Sequence, residues 1–212
     1  MPEDKPEQKP APPPAAAGGK PAAAASPKPA AEAAKPAAPA KPAGPLPQPW
    51  DSEMVARLRA RFGSGVDPKT YLNQNYIVAD LAVLYELLQV LRNDELFDYC
   101  VDVTAVHYPQ RKDQEFDIVW ILYSFEHNQR VRVKAMFKDG DTAPSVVELW
   151  PTANWLEREC YDMFGIRFEG HPDLRRILLP DGWQGFPLRK ERGLTEQDNE
   201  WVKINLGIES GR

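Results

Sequence analysis

The spacing of apolar residues changes along the chain from a helical to a strand period, and this change predicts the order of its elements. A first helix has apolar residues at i, i+3 and i+4 spacing: Met54, Val55, Leu58 and Phe62. Asp51 or Ser52 is suited to cap it, and the pair Gly63 and Gly65 ends it. Two further elements are predicted before residue 95: a strand over Tyr71–Val78 and a helix over Val83–Leu91.

From Tyr99 onward the apolar residues repeat at every second position, which is typical of strands. The first such strand alternates through Tyr99, Val101, Val103 and Ala105, and Phe116–Phe125 is apolar nearly throughout, as in a central strand. In the next strand Arg130, Arg132 and Lys134 interleave with Val131, Val133, Ala135 and Phe137. This pattern predicts one buried and one solvated face, and the short connection over residues 126–129 predicts antiparallel pairing. A turn at residues 138–141 and a short strand over Val146–Leu149 follow.

Residues 151–165 have the pattern of one short helix that begins near Pro151, with Thr152 or Asn154 as its cap, and ends at Gly165. Its apolar stripe consists of Leu156, Cys160, Met163 and Phe164, and Glu157 stands three residues after Asn154, as in a capping box. Arg158 and Asp162 are four residues apart, a spacing that predicts a structural ion pair. Glu159 and Asp162 are also a candidate acid–base pair, although an ion-pair face is the commoner use of such residues.

The following segment, residues 166–192, is rich in large apolar side chains but is broken by three Pro and three Gly. Burial of each such side chain stabilises by about 1.5–3 kcal/mol, whereas each ordered backbone residue costs about 1–2 kcal/mol. On this comparison the segment does not order itself, which predicts an extended arm that lies across a partner. The alternative is that it folds back over its own sheet. A short helix over Thr195–Leu206 either closes the domain or belongs to the arm.

The aromatic and basic residues of this arm match the composition of protein interfaces. The candidate partner-binding residues are Arg175, Arg176, Leu178, Trp183, Phe186, Arg189 and Lys190. The fold class predicted from these patterns is α+β: N-terminal helices packed on a mostly antiparallel sheet, then a short helix and the extended arm. The predicted division is a tail over residues 1–49, an α+β domain over 50–165 and the partner-binding arm over 166–212.

Residues 1–49 contain 15 of the 22 Pro together with 16 Ala and six Lys, which predicts a disordered tail with polyproline II character. The remaining residues carry 20 basic and 27 acidic groups, so nucleic acid is excluded as a partner by the sign of the charge. No apolar run reaches the length of a membrane-spanning helix, and no signal or transit peptide is recognisable. Membrane association is therefore expected to be indirect.

Catalytic and metal-binding motifs are absent from the sequence. No phosphate loop, dinucleotide fingerprint or HExxH motif occurs, and His107, His127 and His171 are scattered without partners at metal-ligand spacing. Cys100 and Cys160 are sixty positions apart and neither belongs to a CxxC pair. The chain is therefore predicted to hold no catalytic residue, metal or cofactor of its own.

The string ERECYDMFGIRFEGHPDLRRILLPDGWQGFPLRKE, residues 157–191, strongly resembles the signature of the C subunit of the proton-pumping NADH-quinone oxidoreductase, respiratory complex I. The family also includes homologous subunits of membrane-bound hydrogenases. The order of elements from about residue 66 looks like the family as well, while the Pro/Ala-rich tail does not. Phe186 stands where the family often has His, and Glu191 where it often has Asp.

The resemblance implies a non-catalytic structural subunit in the hydrophilic, peripheral part of the complex. It implies binding to the D subunit above all and to the B subunit, with FMN and iron–sulfur clusters carried by other subunits. The complex would transfer electrons from NADH to quinone, coupled to proton translocation, on the cytoplasmic side of a bacterial membrane. The alternatives are the equivalent subunit of a membrane-bound hydrogenase or other quinone-reducing dehydrogenase, a stand-alone enzyme that uses Glu159 and Asp162, and a free adaptor.

Overall fold

The computed structural model describes residues 45–191 and 199–207. The helices are α1 (Glu53–Phe62), α2 (Leu84–Asn93), α3 (Ala153–Phe164) and α4 (Asn199–Leu206), and a 3₁₀ turn covers Gly63–Gly65. The strands are β1 (Gln48–Pro49), β2 (Val66–Tyr71), β3 (Gln74–Ala79), β4 (Tyr99–His107), β5 (Phe116–Ser124), β6 (Gln129–Phe137), β7 (Thr142–Pro144) and β8 (Arg167–Glu169). The predicted α+β class is confirmed.

The main sheet has six strands in the order β1-β2-β3-β6-β5-β4. All neighbours are antiparallel except β3 and β6, which are parallel and place Ile77 beside Val133. The β5–β6 pairing follows the predicted hairpin across residues 125–128, with Phe116 opposite Phe137. The sheet is therefore mostly antiparallel, as predicted, and its one parallel pair joins two hairpins that are distant in sequence.

The strand alternation predicted for β6 is present in the structure. Val131, Val133, Ala135 and Phe137 are buried, and Arg130, Arg132 and Lys134 point to the opposite face. The buried face of the sheet shares one hydrophobic core with α1, α2 and α3, which includes Leu58, Leu88 and Cys160. The helices thus cover the inner face of the sheet, whereas the basic residues of β6 lie on its outer face.

The two N-terminal helices follow their predicted positions closely. Ser52 caps α1, and its hydroxyl accepts a hydrogen bond from the Val55 N–H at 3.2 Å. The C-terminal helix α4 confirms the predicted Thr195–Leu206 helix from Asn199 onward, whereas the predicted cap Thr195 lies outside the described residues. No helix in the described ranges is long and apolar enough to cross a membrane.

The strand predicted over Tyr71–Val78 is confirmed only from Gln74 onward, because Tyr71 ends one strand, Gln74 begins another, and the two strands form a hairpin. Val66–Tyr71 and Gln74–Ala79 pair around a two-residue turn in which Leu72 and Asn73 have φ of 49° and 61°. Positive φ at both central residues is the type I′ geometry that matches strand twist. The sequence concealed this turn because Leu is an unusual residue at such a position.

The short strand predicted over Val146–Leu149 is wrong. These residues form a turn, and the strand lies earlier, at Thr142–Pro144, where it pairs in parallel with Arg167–Glu169. Ile166 and Phe168 are buried in the core, so ordered packing continues past the predicted boundary at residue 165. At the other boundary, Gln48 and Pro49 pair with β2, whereas the predicted disorder of residues 1–44 concerns a segment outside the described residues.

Replacement of Leu72 by Asn is expected to stabilise the chain. Asn adopts positive φ at lower cost than Leu, and Leu72 is 65% exposed, so no buried contact is lost. We expect the free energy of unfolding to rise by about 1 kcal/mol, measured by denaturant titration. The control Leu46→Asn changes an exposed leucine that does not have positive φ and should leave stability unchanged. A stability loss in Leu72→Asn would contradict the turn geometry.

Candidate functional site

The C-terminal arm, here residues 170–191, is held against the chain's own domain by the buried carboxylate of Asp162 on α3. The side chain of Asp162 is fully buried. Its Oδ2 accepts hydrogen bonds from the successive N–H groups of Ile177, Leu178 and Leu179 at 3.0, 2.7 and 2.9 Å. Its Oδ1 accepts one from the guanidinium of Arg176 at 2.8 Å. One carboxylate therefore binds a main-chain bend and a charged side chain of the same arm.

These donors decide the protonation state of Asp162. Burial alone would raise the pKa of this carboxyl group, but the N–H groups of Leu179, Leu178 and Ile177 and the Arg176 guanidinium outweigh it and lower the pKa. The carboxylate is thus ionised at neutral pH, with both of its oxygens engaged. Such a group is unsuited to act as a general acid or base, which argues against the acid–base reading of Glu159 and Asp162.

The predicted ion pair between Arg158 and Asp162 is wrong, although both residues belong to the site. The Arg158 guanidinium donates instead to the main-chain oxygens of Arg175 and Arg176, at 3.1 and 3.4 Å, and lies over the Trp155 ring at 4.8 Å. Asp162 takes Arg176 as its partner. Arg158 therefore satisfies carbonyl groups of the arm while Asp162 satisfies its N–H groups.

A second attachment lies near the end of the arm, at Arg189. Its guanidinium donates to the Phe164 carbonyl at 2.7 Å and forms two parallel hydrogen bonds of 2.8 Å with Asp139. The same group lies 5.2 Å from the centre of the Phe116 ring. The Leu188 N–H donates to the Met163 carbonyl at 3.1 Å. Arg189 thus satisfies the C-terminal carbonyl of α3, which has no partner within the helix.

Phe186 packs at the end of α3, where Gly165 allows its close approach. Gly165 has φ of 78°, and a Cβ at this position would overlap the Phe186 ring. The Phe186 ring contacts Tyr161 in a T-shaped arrangement and lies between the guanidinium groups of Arg176 and Arg189, at 5.1 and 5.3 Å. The predicted helix-ending glycine is confirmed, and its second role is to admit this ring.

His107 is a site residue that sequence reasoning did not assign to the arm. It is buried at the end of β4 and stacks on Phe116 at 4.6 Å. Its Nδ1 accepts a hydrogen bond from the Lys190 N–H at 2.9 Å, and its Nε2 lies 3.4 Å from a carboxylate oxygen of Glu191. Its position at the end of an apolar strand was the available signal, and that signal indicated only a hydrogen-bonded structural role.

The candidate partner-binding residues divide into two sets. Arg176, Phe186 and Arg189 face the chain's own domain and hold the arm in place, as described above. Those with exposed side chains are Arg175 and Lys190, which are charged, and Leu178, which is 62% exposed. Trp183 is half-buried. The arm therefore presents an outer surface that its attachments leave open, and we call this the arm surface.

The expectation that the arm cannot order on its own chain is wrong, because it counted only apolar burial. The contacts of Asp162, Arg158 and Arg189 are charge-assisted hydrogen bonds to main-chain groups, which are stronger than neutral ones. They pair polar groups that would otherwise be costly to bury. The alternative reading, in which the segment folds back on its own domain, is the one observed over residues 170–191.

Glu157 forms a second buried carboxylate site on α3. It is completely buried, and it accepts hydrogen bonds of 2.7 Å from the Ser145 hydroxyl and the Val146 N–H. The predicted capping box with Asn154 is therefore wrong, since the carboxylate is engaged by the β7–α3 connection instead. Burial raises the pKa of Glu157 to about 7, and its two donors offset this only in part.

The two cysteines lie in the core and are protected from reaction. Burial raises the pKa of Cys100 to about 12 and raises that of Cys160 further, so both thiols are protonated at neutral pH. Cys160 donates from Sγ to the Val103 carbonyl at 3.3 Å. In the part of the chain that the structure describes, no group of three His, Cys, Asp or Glu residues is arranged to hold a metal ion.

Comparison with known proteins places this fold and arm in one family. The family described as the 30 kDa subunit of respiratory-chain NADH dehydrogenase matches residues 77–198. The NADH-quinone oxidoreductase C subunit (C 1) of Rhizobium meliloti is 44% identical over 161 residues, which are 72% of this chain and 80% of that protein. The corresponding C subunit of Geobacter sulfurreducens is 36% identical over 158 residues, which are 74% of this chain and 98% of that protein.

A solved structure shares the fold at lower identity. A chain of the membrane-bound sulfane sulfur reductase, an archaeal respiratory membrane complex, superposes with a TM-score of 0.60 at 21% identity, covering 76% of this chain and 93% of that chain. The chain belongs to the family of the respiratory-chain 30 kDa subunit, the C subunits of the NADH-quinone oxidoreductase (complex I), a complex that transports electrons to quinone. The predicted resemblance is thereby confirmed.

Replacement of Asp162 by Asn is expected to release the arm. Asn keeps one acceptor oxygen but loses the charge that binds Arg176 and three N–H groups, and we expect a loss of about 2–4 kcal/mol in stability. Hydrogen exchange should become faster at residues 177–179. Glu159→Gln is the matched control, because it removes one charge from an exposed position of the same helix. Unchanged exchange in Asp162→Asn would contradict the proposed anchoring.

The lowered pKa of Asp162 also fixes the sign of its pH dependence. Its contribution should be fully present above the ordinary Asp pKa, about 3.9, and should be lost as pH falls through the lower pKa of the folded state. Acid titration of the wild type followed by exchange at the arm should show this loss, and Asp162→Asn should lack it.

Glu157 should give the opposite dependence. Between its ordinary value of 4.5 and about 7, the folded chain binds a proton that the unfolded chain does not, so stability should fall as pH rises through this window. A shift of this size corresponds to about 3 kcal/mol as an upper bound. Denaturant unfolding of the wild type at pH 5 and pH 8 should show the loss, and Glu157→Gln should flatten it. An equal pH dependence in the variant would assign the effect to other groups.

Proposed function

We propose that this chain is a non-catalytic structural subunit in the peripheral part of the NADH-quinone oxidoreductase, and that its arm surface binds a neighbouring subunit. The observation that carries the proposal is the double-sided arm. One side is attached to the chain's own domain by Asp162 and Arg189, while the other presents Leu178, Arg175 and Lys190. Exposed apolar and basic side chains on a fixed backbone are suited to bind another chain, because little ordering is needed on association.

Rigid attachment is the property that a scaffold subunit needs. Electron transfer and its coupling to other steps depend on the placement of groups in neighbouring subunits, so a scaffold that fixes their positions contributes without chemistry of its own. The arm is suited to this because charged side chains bind main-chain groups both at its middle, residues 175–179, and near its end, where Arg189 binds the Phe164 carbonyl. The partners proposed are the D subunit above all and the B subunit.

Family membership supports the remaining features of the proposal. FMN and iron–sulfur clusters would be carried by partner subunits, and electrons from NADH would reach quinone with coupled proton translocation. The chain would lie on the cytoplasmic side of a bacterial membrane and associate with it through the complex. A role in a membrane-bound hydrogenase is the rival, and the 36–44% identity to two relatives named as NADH-quinone oxidoreductase subunits favours the first reading.

Replacement of Leu178 by Glu should weaken assembly while the domain stays folded. Loss of an apolar contact and introduction of a charge should weaken binding to the other subunits by at least about 1.4 kcal/mol. This corresponds to a ten-fold lower recovery of those subunits in affinity purification. The matched control is Leu81→Glu, since Leu81 is an exposed leucine on the turn before α2.

Arg176→Ala and Trp183→Ala should also weaken assembly, with residues 66–150 still folded by circular dichroism.

Two outcomes would contradict the proposal. Normal recovery of the complex with Leu178→Glu would remove the arm surface as a binding site. A variant that assembles normally but loses NADH-quinone electron transfer would indicate a direct chemical role instead of a structural one.

A further inference from the structure

The outer face of the main sheet carries charged and apolar side chains in two rows, which the arm does not use. The strand register places Tyr76 beside Arg132, Arg132 beside Ile121, and Ile121 beside Asp102. The next row contains Val78, Lys134, Val119 and Thr104. Since the core packs on the other face, these side chains form a second surface that remains half-exposed.

A cleft of about 350 Å³ lies across these rows. Its lining consists of Tyr76, Thr104, Val119, Ile121, Arg132 and Lys134. The cleft crosses four neighbouring strands, which corresponds to about 14 Å at the usual strand spacing. An extended segment of four or five residues has this length.

A second cleft of about 320 Å³ adjoins the first at Arg132. It lies between the β2–β3 and β5–β6 turns, and its polar lining includes Asn73, Asn128, Arg130 and Arg132. The parallel pairing of β3 with β6 brings these two turns to the same end of the sheet. The two clefts share Arg132, and we call them together the sheet groove, with an apolar floor at Val119 and Ile121 and a polar end.

The charges of the groove indicate what it would bind. Lys134 is paired with Asp117 at 3.1 Å, and Arg111 pairs with the same carboxylate. By contrast, Arg130 and Arg132 form no ion pair with any residue of the described ranges 45–191 and 199–207. Their guanidinium groups therefore leave positive charge at this end of the groove that the described residues do not neutralise, although the formal net charge of the chain is −5.

We propose that the sheet groove binds an extended, acidic segment of a partner polypeptide within the complex, which rests on the proposed function as a subunit. The carboxylates of the segment pair with Arg130 and Arg132, for which bidentate hydrogen bonding is the favoured geometry. Its apolar side chains cover Val119 and Ile121. This surface is separate from the arm surface, so the chain binds its neighbours through two faces.

Charge disfavours other occupants. A symmetric pair of chains centred on Arg130 and Arg132 would place these like charges close together. Nucleic acid is disfavoured because its phosphates require a more extended basic face than Arg130 and Arg132 provide. Anionic lipid also fits basic groups beside apolar ones, and it is distinguished by the experiment below.

Thiol labelling tests whether the groove is covered. Thr104→Cys places a thiol in the groove with little change in size, and Thr142→Cys on β7 provides a matched exposed reference. The wild type gives the background, which is low because Cys100 and Cys160 are buried and protonated. We expect maleimide to label Thr104→Cys at least ten-fold more slowly in the purified complex than in the isolated full chain. The proposal would be overturned if the labelling rate of Thr104→Cys, divided by that of Thr142→Cys, were the same in the complex as in the isolated chain.

Charge reversal tests whether the sheet groove binds an acidic polypeptide or an anionic lipid. Arg130→Glu/Arg132→Glu should reduce recovery of the other subunits at least ten-fold and restore labelling at residue 104. Lys112→Glu/Arg167→Glu makes the same charge change at exposed sites without breaking a described ion pair, and should assemble normally. Binding of the isolated wild type to phosphatidylserine vesicles, lost on reversal of Arg130 and Arg132, would instead assign the groove to lipid and overturn the proposal.

The result also separates this proposal from the proposed function. If Arg130→Glu/Arg132→Glu assembles normally and residue 104 labels freely in the complex, the groove proposal fails while the subunit role stands. If the wild-type chain itself recovers no other subunits, the proposed function fails. Circular dichroism of each variant confirms that the fold is retained.

Discussion

A single buried carboxylate, that of Asp162, determines how the C-terminal arm lies on the domain. An ionised carboxyl group without partners is too costly to bury, so α3 depends on the arm as much as the arm depends on α3. Three N–H groups and one guanidinium meet this requirement. Two further contacts join the arm to the same helix: Arg158 on α3 donates to the arm, and Arg189 of the arm donates to the Phe164 carbonyl on α3. Gly165 leaves the space that Phe186 occupies. The arm surface exists because these contacts fix the backbone behind it.

Local patterns predicted most of the fold because a helix and a half-buried strand each impose a period on the sequence. Helices α1, α2 and α3 and strands β4 to β6 were found in this way. The β2–β3 hairpin was missed because Leu72 occupies a turn position that usually signals itself with Asn or Gly. The β7–β8 pair was missed because three-residue strands show no period, and the parallel contact of β3 with β6 joins segments that local patterns do not relate.

The site was located by sequence, but its pairings were not. Asp162 was matched with Arg158 because helical spacing makes them neighbours, whereas its partner Arg176 lies 14 residues further on, in a segment without regular structure. A carboxylate set among Tyr161, Met163 and Phe164 was the available signal that Asp162 is buried. Such a signal indicates that the carboxylate needs hydrogen-bond partners, but it does not indicate which residues supply them. The resemblance of residues 157–191 to a known family supplied the function that spacing alone did not.

The contacts at Ile177, Leu178 and Leu179 have a consequence for how this surface can vary. Asp162 binds the peptide N–H groups of these residues, and these hydrogen bonds do not involve their side chains. Any amino acid except proline supplies such a group, and Pro180 follows immediately after the three. The anchoring chemistry and the outward side chains are therefore independent. Substitution at Leu178 can therefore change the outward side chain without loosening the attachment that presents it.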